Sequence, residues 1–391
     1  MKKSLAALAF GTLSLGMSEY VMMGILPDIA SSLGLSIPQT GHLISAYALG
    51  VCFGAPLTVI AARKQPLKRI LLGLGALAFA GNLLSALAPA YYFLALARFI
   101  AGLPHGAYFG VGSLAAGSLA EPGKEASAVA AMVSGITVAN LFGVPLGTFV
   151  SHALSWRFSY GIVCLWTLVV IVALFRWIPY LPPLPDTGFR GQFRFLARPA
   201  PWLLMAATAL GNGGIFCWYS YISPLMTEVS GFKAQSMSWI MILAGLGMVA
   251  GNGAAGRLSD RFGPGKVALS TQALAVSALV LVFFFAPLPA VSLALMILLS
   301  VCLFALSTPE QLLLIRNSPG GEMLGAASAQ VAFNLGNALG AYLGGLPLNS
   351  GPAYRYCALI GAFAALPGFA ALAAFNLFIK TKSVSPGRSP G

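Results

Sequence analysis

The sequence predicts an all-α membrane protein of twelve spanning helices arranged as two pseudo-symmetric bundles of six. Three observations carry this. Hydrophobic residues make up 58% of the 391 residues while charged residues make up only 8%, far below the quarter or so that a water-facing surface requires. The apolar residues fall into runs long enough to cross a hydrocarbon core of ~30 Å, which takes about 20 residues of helix. The two halves of the chain also match at one fixed offset.

The runs, bounded by Pro, Gly and charge, lie roughly at 5–27, 41–62, 70–90, 92–118, 127–150 and 158–178, then at 201–226, 236–256, 266–287, 289–312, 324–348 and 356–379. The first run, behind Lys2 and Lys3, imitates a signal peptide, but it continues through Glu19 to Pro27 and further spans follow, so it reads as an uncleaved helix. Between the sixth and seventh runs, Pro179, Pro182, Pro183 and Pro185 precede Arg190, Arg194 and Arg198. The expected organisation is a six-helix bundle over 1–180, a cytoplasmic linker over 181–199, and a second bundle over 200–391 with a short tail. A shift of 197 residues carries Gly16 onto Gly213, Pro27 onto Pro224, Pro122 onto Pro319, Glu125 onto Glu322, Asn140 onto Asn337 and Gly143 onto Gly340. Glycine matches come cheaply in a glycine-rich chain; matches of scarce Pro, Glu and Asn at one unbroken offset indicate a duplicated unit.

The net charge of +13 is a topological signal. With the N-terminus cytoplasmic, every Lys and Arg falls on the inner side except Arg157, Lys233 and Arg355 outside and Arg98 within a span. Both termini are therefore expected in the cytoplasm. No nucleic-acid partner is implied, because that would gather the basic residues on one soluble face. The five cysteines lie within apolar runs with no CxxC spacing, so they read as small buried hydrophobes. No metal or other cofactor is implied, and neither GxxxxGK[ST] nor HExxH occurs. A receptor or an integral membrane enzyme would need a sensor domain or catalytic side chains gathered at one depth, and the sequence shows neither.

Several polar residues interrupt the spans. Glu19 lies eight residues, ~12 Å of helix, before Pro27. A carboxylate there costs a few kcal/mol unless it is protonated, paired or facing water, which makes it the leading candidate for proton coupling or substrate contact. Arg98, about seven residues into the fourth span from the outside, falls at similar depth, where it would either pair with Glu19 or brace backbone carbonyls. His105 lies two turns further along nearly the same face and completes the candidate coupling set. Tyr20, Tyr47, Tyr108, Asn140, Asn212, Tyr219, Asn334 and Asn337 are candidates for the lining of a substrate cavity, since phenols and amides suit sugars and polar aromatics. Asp28, Glu228 and Glu310 fall near span ends and read as interfacial, the last within reach of Arg316 for gate pairing. Glycines four apart, as at Gly50 and Gly54 or Gly143 and Gly147, mark stripes where helices approach closely. Pro145 between the latter pair bends the fifth helix.

Gly16-Met17-Ser18-Glu19-Tyr20 with Gly24 and Pro27, Gly54-Ala55-Pro56, Arg98 with Gly102-Leu103-Pro104-His105-Gly106, Gly143-Val144-Pro145-Leu146-Gly147, Ser155-Trp156-Arg157 and Phe333-Asn334-Leu335-Gly336-Asn337 together resemble the drug/proton antiporter group of the major facilitator superfamily, and within it the arabinose-efflux permeases. The resemblance runs from the first span to the last. It implies a monomeric twelve-helix exporter in the inner membrane of a bacterium, exchanging protons for sugars, sugar-like metabolites or small amphiphilic drugs; an uptake symporter would use the same fold. It also implies gating roles for Gly143, Pro145 and Gly147, and for Asp260 and Arg261 in the loop motif Gly256-Arg257-Leu258-Ser259-Asp260-Arg261-Phe262-Gly263. The first-half copy, Arg63-Lys64 through Lys68-Arg69, keeps the basic residues and lacks the acid.

Overall fold

The computed structural model describes residues 2–62, 64–121, 125–183, 194–318, 322–351 and 354–379. Among them run twelve long helical segments: α1 (Lys2–Leu33), α2 (Ile37–Ala62), α3 (Leu67–Ala86), α4 (Tyr91–Ser118), α5 (Glu125–Val138, a π-helical turn Ala139–Gly143, then Val144–Ala153), α6 (Trp156–Trp177), α7 (Pro199–Tyr219), α8 (Met237–Phe262), α9 (Pro264–Phe285), α10 (Pro289–Arg316), α11 (Glu322–Gly345) and α12 (Arg355–Ala374). Ten of these are long and apolar enough to cross a membrane. The exceptions are α4, diluted by Arg98, His105 and glycine, and α11, diluted by Gln330, Asn334, Asn337 and glycine. The linker expected over 181–199 falls largely on residues 184–193, outside the described residues; at its end lies a short 3-10 turn, Arg194–Ala197.

Local chemistry sets the boundaries. Pro199, Pro264 and Pro289 each open a helix, where the missing N–H costs nothing. Gly263 turns the chain from α8 into α9 at φ +86°, a left-handed conformation that a side chain would strain. The Pro145 bend expected in α5 is absorbed by the π-helical turn just before it, because residue 145 has no N–H to close the regular ladder. Pro27 ends nothing: α1 continues six residues past it to Leu33.

The helix pairs of the first half recur in the second. Helix α2 packs on α4 as α8 packs on α10, α3 on α6 as α9 on α12, and α1 on α5 as α7 on α11. The register repeats too: a Cβ at Gly16 would meet Ala139, and one at Gly213 would meet Gly336, both pairs related by the 197-residue shift. Between the halves, α2 packs on α11 and α5 on α8. Ser45 Oγ donates to the Ala338 carbonyl at 2.8 Å and Cys52 Sγ to that of Val331 at 3.4 Å.

The apolar cores show which way the molecule opens. One large cluster joins both halves, drawing on Tyr20–Ile29 of α1, Leu43 and Ile44 of α2, Ile215–Met226 around the end of α7, and Leu295–Leu306 of α10. It fills the end remote from the chain termini. At the terminal end the halves keep separate cores, one around Leu8, Leu71, Tyr108 and Leu174, the other around Leu204, Ala268, Leu314 and Leu372. Shared packing at one end and separate packing at the other leaves a cleft between the halves on the side of the termini.

Candidate functional site

The cleft ends at mid-depth in a cavity of about 90 Å³ lined from both halves by Glu19 and Tyr20 of α1, His105 and Phe109 of α4, Val133 and Ile136 of α5, Asn212 of α7, Asn252 of α8, Phe304, Thr308 and Gln311 of α10, and Gln330, Phe333, Asn334 and Asn337 of α11. That volume holds water but falls short of the ~300 Å³ or more that encloses a small organic ligand. From Glu19 the lining descends to Gln311 and Gln330, toward the terminal end. The opposite direction is closed by the shared core.

Glu19 joins the halves. Its side chain is buried; Oε1 accepts from Asn337 Nδ2 across the cleft at 3.0 Å, and the Asn337 oxygen accepts from Asn212 Nδ2 at 2.6 Å. Oε2 lies 3.6 Å from His105 Nε2, just beyond hydrogen-bond length. On its far side, His105 Nδ1 meets the Tyr47 hydroxyl at 2.9 Å, and that hydroxyl is also 3.4 Å from the Leu15 carbonyl. A phenol has one proton to give. Donated to Leu15, it leaves His105 to carry its proton on Nδ1 and present a bare Nε2 to Glu19. Donated to His105, it puts the imidazole proton on Nε2, facing the carboxyl. The Glu19–His105–Tyr47 chain thus accommodates two proton arrangements that differ in which partner of the Glu19–His105 contact holds a proton.

Arg98 does not pair with Glu19. Its guanidinium, fully buried, donates through Nη2 to the Ser18 carbonyl at 2.7 Å and through Nη1 to Ser18 Oγ at 3.3 Å, and Ser18 Oγ donates on to Asn82 Oδ1 at 2.7 Å. It also stacks on Tyr47, 4.3 Å from the ring centroid, with Tyr160 at 5.2 Å. Of the two roles open to it in sequence, the structure shows the carbonyl brace. No salt bridge joins it to Glu19; its charge acts on that carboxyl through space, and its guanidinium stacks on the ring of Tyr47.

The candidate cavity residues divide. Tyr20, Asn212, Asn334 and Asn337 line the cavity. Tyr47 lies beneath His105 and Arg98. Tyr108, expected in the cavity, is wedged between α4 and α1, bonded to the Leu8 carbonyl at 3.3 Å and filling the space left by Gly11. Tyr219 belongs to the far-end core, edge-on to Tyr20. Asn140 bonds its own helix at Ile136, and its carbonyl packs on Gly245 at the α5–α8 seam. Amphipathic period is weak in helices buried on most sides, so the depth of these three was legible in sequence and their facing was not. Asn252, Thr308, Gln311 and Gln330 line the cavity without having been singled out; the signal that marked Asn212, an amide or hydroxyl within a span, was equally available for them.

Gly143 and Gly147 face α1 at Met17 and Val21, within their own half, and Pro145 is buried beside them. Arg261 is exposed, its guanidinium 5.1 Å from the Phe262 ring; the side chain of Asp260 lies outside the described residues. Asp28 ties α1 to α5, accepting from Ser151 Oγ and pairing with His152 Nδ1 at 2.9 Å, where a solvated helix end was expected. Glu228 is exposed as expected and accepts from the Tyr354 hydroxyl at 3.3 Å. Glu310 does not pair with Arg316: it is 1% exposed and sealed within the protein, while Arg316 is exposed one and a half turns further on.

The profile of the family described as Major Facilitator Superfamily matches residues 8–331 and 220–390. Among known proteins, the chain is 45% identical over 390 residues to AraJ of Escherichia coli, covering 100% of this chain and 98% of that one. It is 35% identical over 371 residues to the inner membrane transport protein YdhP of Escherichia coli, covering 95% of each. Its fold is similar, at a TM-score of 0.73 and 17% identity over 95% of this chain and 97% of the other, to a crystal structure of a bacterial homolog of the human lysosomal transporter Spinster in an inward-facing, unoccupied conformation.

Proposed function

The chain belongs to the Major Facilitator Superfamily and is a multi-pass membrane transporter, and from that premise we propose that it exports sugars, sugar-like metabolites or small amphiphilic drugs in exchange for protons. The observation that carries this reading is the position of Glu19: one buried carboxyl at the head of the central cavity, bonded across the cleft to Asn337 and in contact with His105. A group so placed feels substrate, proton and the relative position of the halves at once, which is what coupling requires. In the proposed cycle two six-helix units, 1–180 and 200–391, joined by 181–199, rock about their seam through a twelve-span architecture. With both termini in the cytoplasm of a bacterium, as the Lys and Arg distribution favours, the cleft described above is the inward-open side.

The lining supports the substrate class. Asn212, Asn252, Gln311, Gln330, Asn334 and Asn337 offer amides to hydroxyl groups, and Phe109, Phe304 and Phe333 offer apolar faces to a ring. The cavity must widen as the halves part to admit such a molecule. Substrate arriving from the cytoplasm displaces the proton held at Glu19, and return of a proton from outside resets the carboxyl. The test is transport in proteoliposomes of oriented protein, with arabinose and a panel of related sugars and drugs as candidate cargo. Glu19→Gln should abolish accumulation driven by an imposed pH difference and retain exchange at equal pH. Accumulation by E19Q against a substrate gradient would remove Glu19 as the coupling group, and accumulation with the opposite pH polarity would make the protein a symporter.

A further inference from the structure

A second carboxyl is buried in the membrane-spanning region, on the other side of α10 from the cavity. Thr308 and Gln311 of α10 line the cavity; Glu310 between them turns into the wedge between α7 and α9. It is 1% exposed and neither of its oxygens has a hydrogen-bond partner. The Thr208 hydroxyl of α7 acts on it at short range without good bonding geometry, and that hydroxyl, wholly buried, is itself without a partner. Gln272 of α9, 1% exposed, has both amide atoms unpartnered. Its Oε1 occupies the space left by the missing side chain of Gly211, one turn along α7 from Thr208. Thr208 and Glu310 meet and Gln272 lies about a turn of α7 away, so three helices that pack on one another carry five unpartnered polar atoms in one buried region. A buried polar atom left bare is costly, and a bare carboxylate more so.

No described cation offsets the charge. On α10, Arg316 is exposed; on α9 the only Lys or Arg is Lys266, exposed in the first turn; α7 carries only Cys217 and Tyr219, at its remote end. On α8, which packs on α10, Arg257 and Arg261 are exposed and the side chain of Asp260 is outside the described residues, as is that of Glu322 on α11. On α12 the ionisable residues Arg355, Tyr356 and Cys357 are at the far end. A proton on Glu310 removes the charge and gives the acid an O–H to donate to the Thr208 hydroxyl beside it.

We infer that Glu310, with Thr208 and Gln272, forms a second proton-carrying site, in the second half of the protein and separate from Glu19. The apolar cluster of Leu204, Ala207, Ala268, Leu313 and Leu314 closes it from the terminal end in this conformation. Pro309, adjacent, gives no N–H to the carbonyl one turn back, so α10 is soft at that point. A shift of the last two turns of α10 opens the wedge to water, and the proton leaves. The site stands without Glu19, and its test separates the two.

Infrared spectra of the purified full-length protein at about pH 7 supply that test. The expected result is a carbonyl-stretch band of a protonated, buried carboxylic acid that disappears in Glu310→Gln and persists in E19Q. Gln keeps the size and hydrogen-bonding capacity of the protonated acid, so E310Q should purify and melt like the parent. If it does not fold, Thr208→Ala reads the same site: the band should shift as the acid loses a partner. Absence of any band difference between parent and E310Q, or a band unmoved by Thr208→Ala, overturns the inference. Loss of the band on replacing KCl by NaCl at constant ionic strength also overturns it, by making the wedge a sodium site.

Discussion

Removing the Asn337 side chain cuts the polar bridge between the halves at its centre. In Asn337→Ala, Glu19 Oε1 loses its 3.0 Å donor and Asn212 loses its 2.6 Å acceptor, retaining the 3.3 Å contact to the Phe333 carbonyl. Hydrogen bonds to charged groups contribute ~1.5–3 kcal/mol, while side-chain bonds between membrane helices average ~0.6 kcal/mol. Only the bond to Glu19 crosses between the halves, the Asn212 contact lying within the second, so the conformation closed at the far end should be destabilised by ~0.6–3 kcal/mol, which multiplies the population open on that side by about 3 to 150. The assay is the rate at which a membrane-impermeant maleimide, added outside, labels a cysteine at Ile44 in a background lacking the five native cysteines. Ile44 is 4% exposed in the shared core that closes the far end. Asn334→Ala is the control, because Asn334 lines the same cavity but bonds only the Gln330 carbonyl of its own helix. Labelling should rise in N337A and stay at the parental rate in N334A. Equal rates in all three proteins refute the idea that this bridge holds the halves together.

Tyr47→Phe removes the hydroxyl between His105 and Leu15 while keeping the ring under Arg98; melting should change little, and transport driven by a pH difference should fall at least tenfold, an outcome that unchanged driven transport contradicts. Arg98→Lys keeps the charge and loses the two-pronged hold on Ser18 together with the stacking on Tyr47, so it should lower stability by ~2–4 kcal/mol, seen as a drop in Tm by tryptophan fluorescence in detergent. Gly54→Val places carbon against the Leu103 carbonyl at the α2–α4 contact and should cost ~1–3 kcal/mol or more. Gly73→Ala, whose new methyl meets open space, should leave Tm unchanged or raise it slightly.

The sequence by itself determined the solvent, the number and order of the helices and the repeat. A mean hydropathy of +0.86 and 8% charge leave no alternative to lipid, and span length follows from bilayer thickness. In the structure the 197-residue shift relates contacts as well as residues, since Gly16 faces Ala139 as Gly213 faces Gly336. Depth was legible as well: Glu19, His105 and Asn337 were marked because polar groups at mid-span are expensive wherever they face. Only the tertiary structure decided direction. Arg98 and Glu19 share a depth, yet Arg98 turns to Ser18 and Glu19 to Asn337. Tyr108 and Tyr20 are equally aromatic, yet one fills the space beside Gly11 and the other faces the cavity. Glu310 sits six residues from a helix end and is still sealed from water. In a soluble helix the apolar stripe reports which face is inward. In a bundle within lipid both the packed face and the lipid face are apolar, so the pattern loses its contrast, and the facing of each polar side chain is fixed by helix neighbours that only the folded chain brings together.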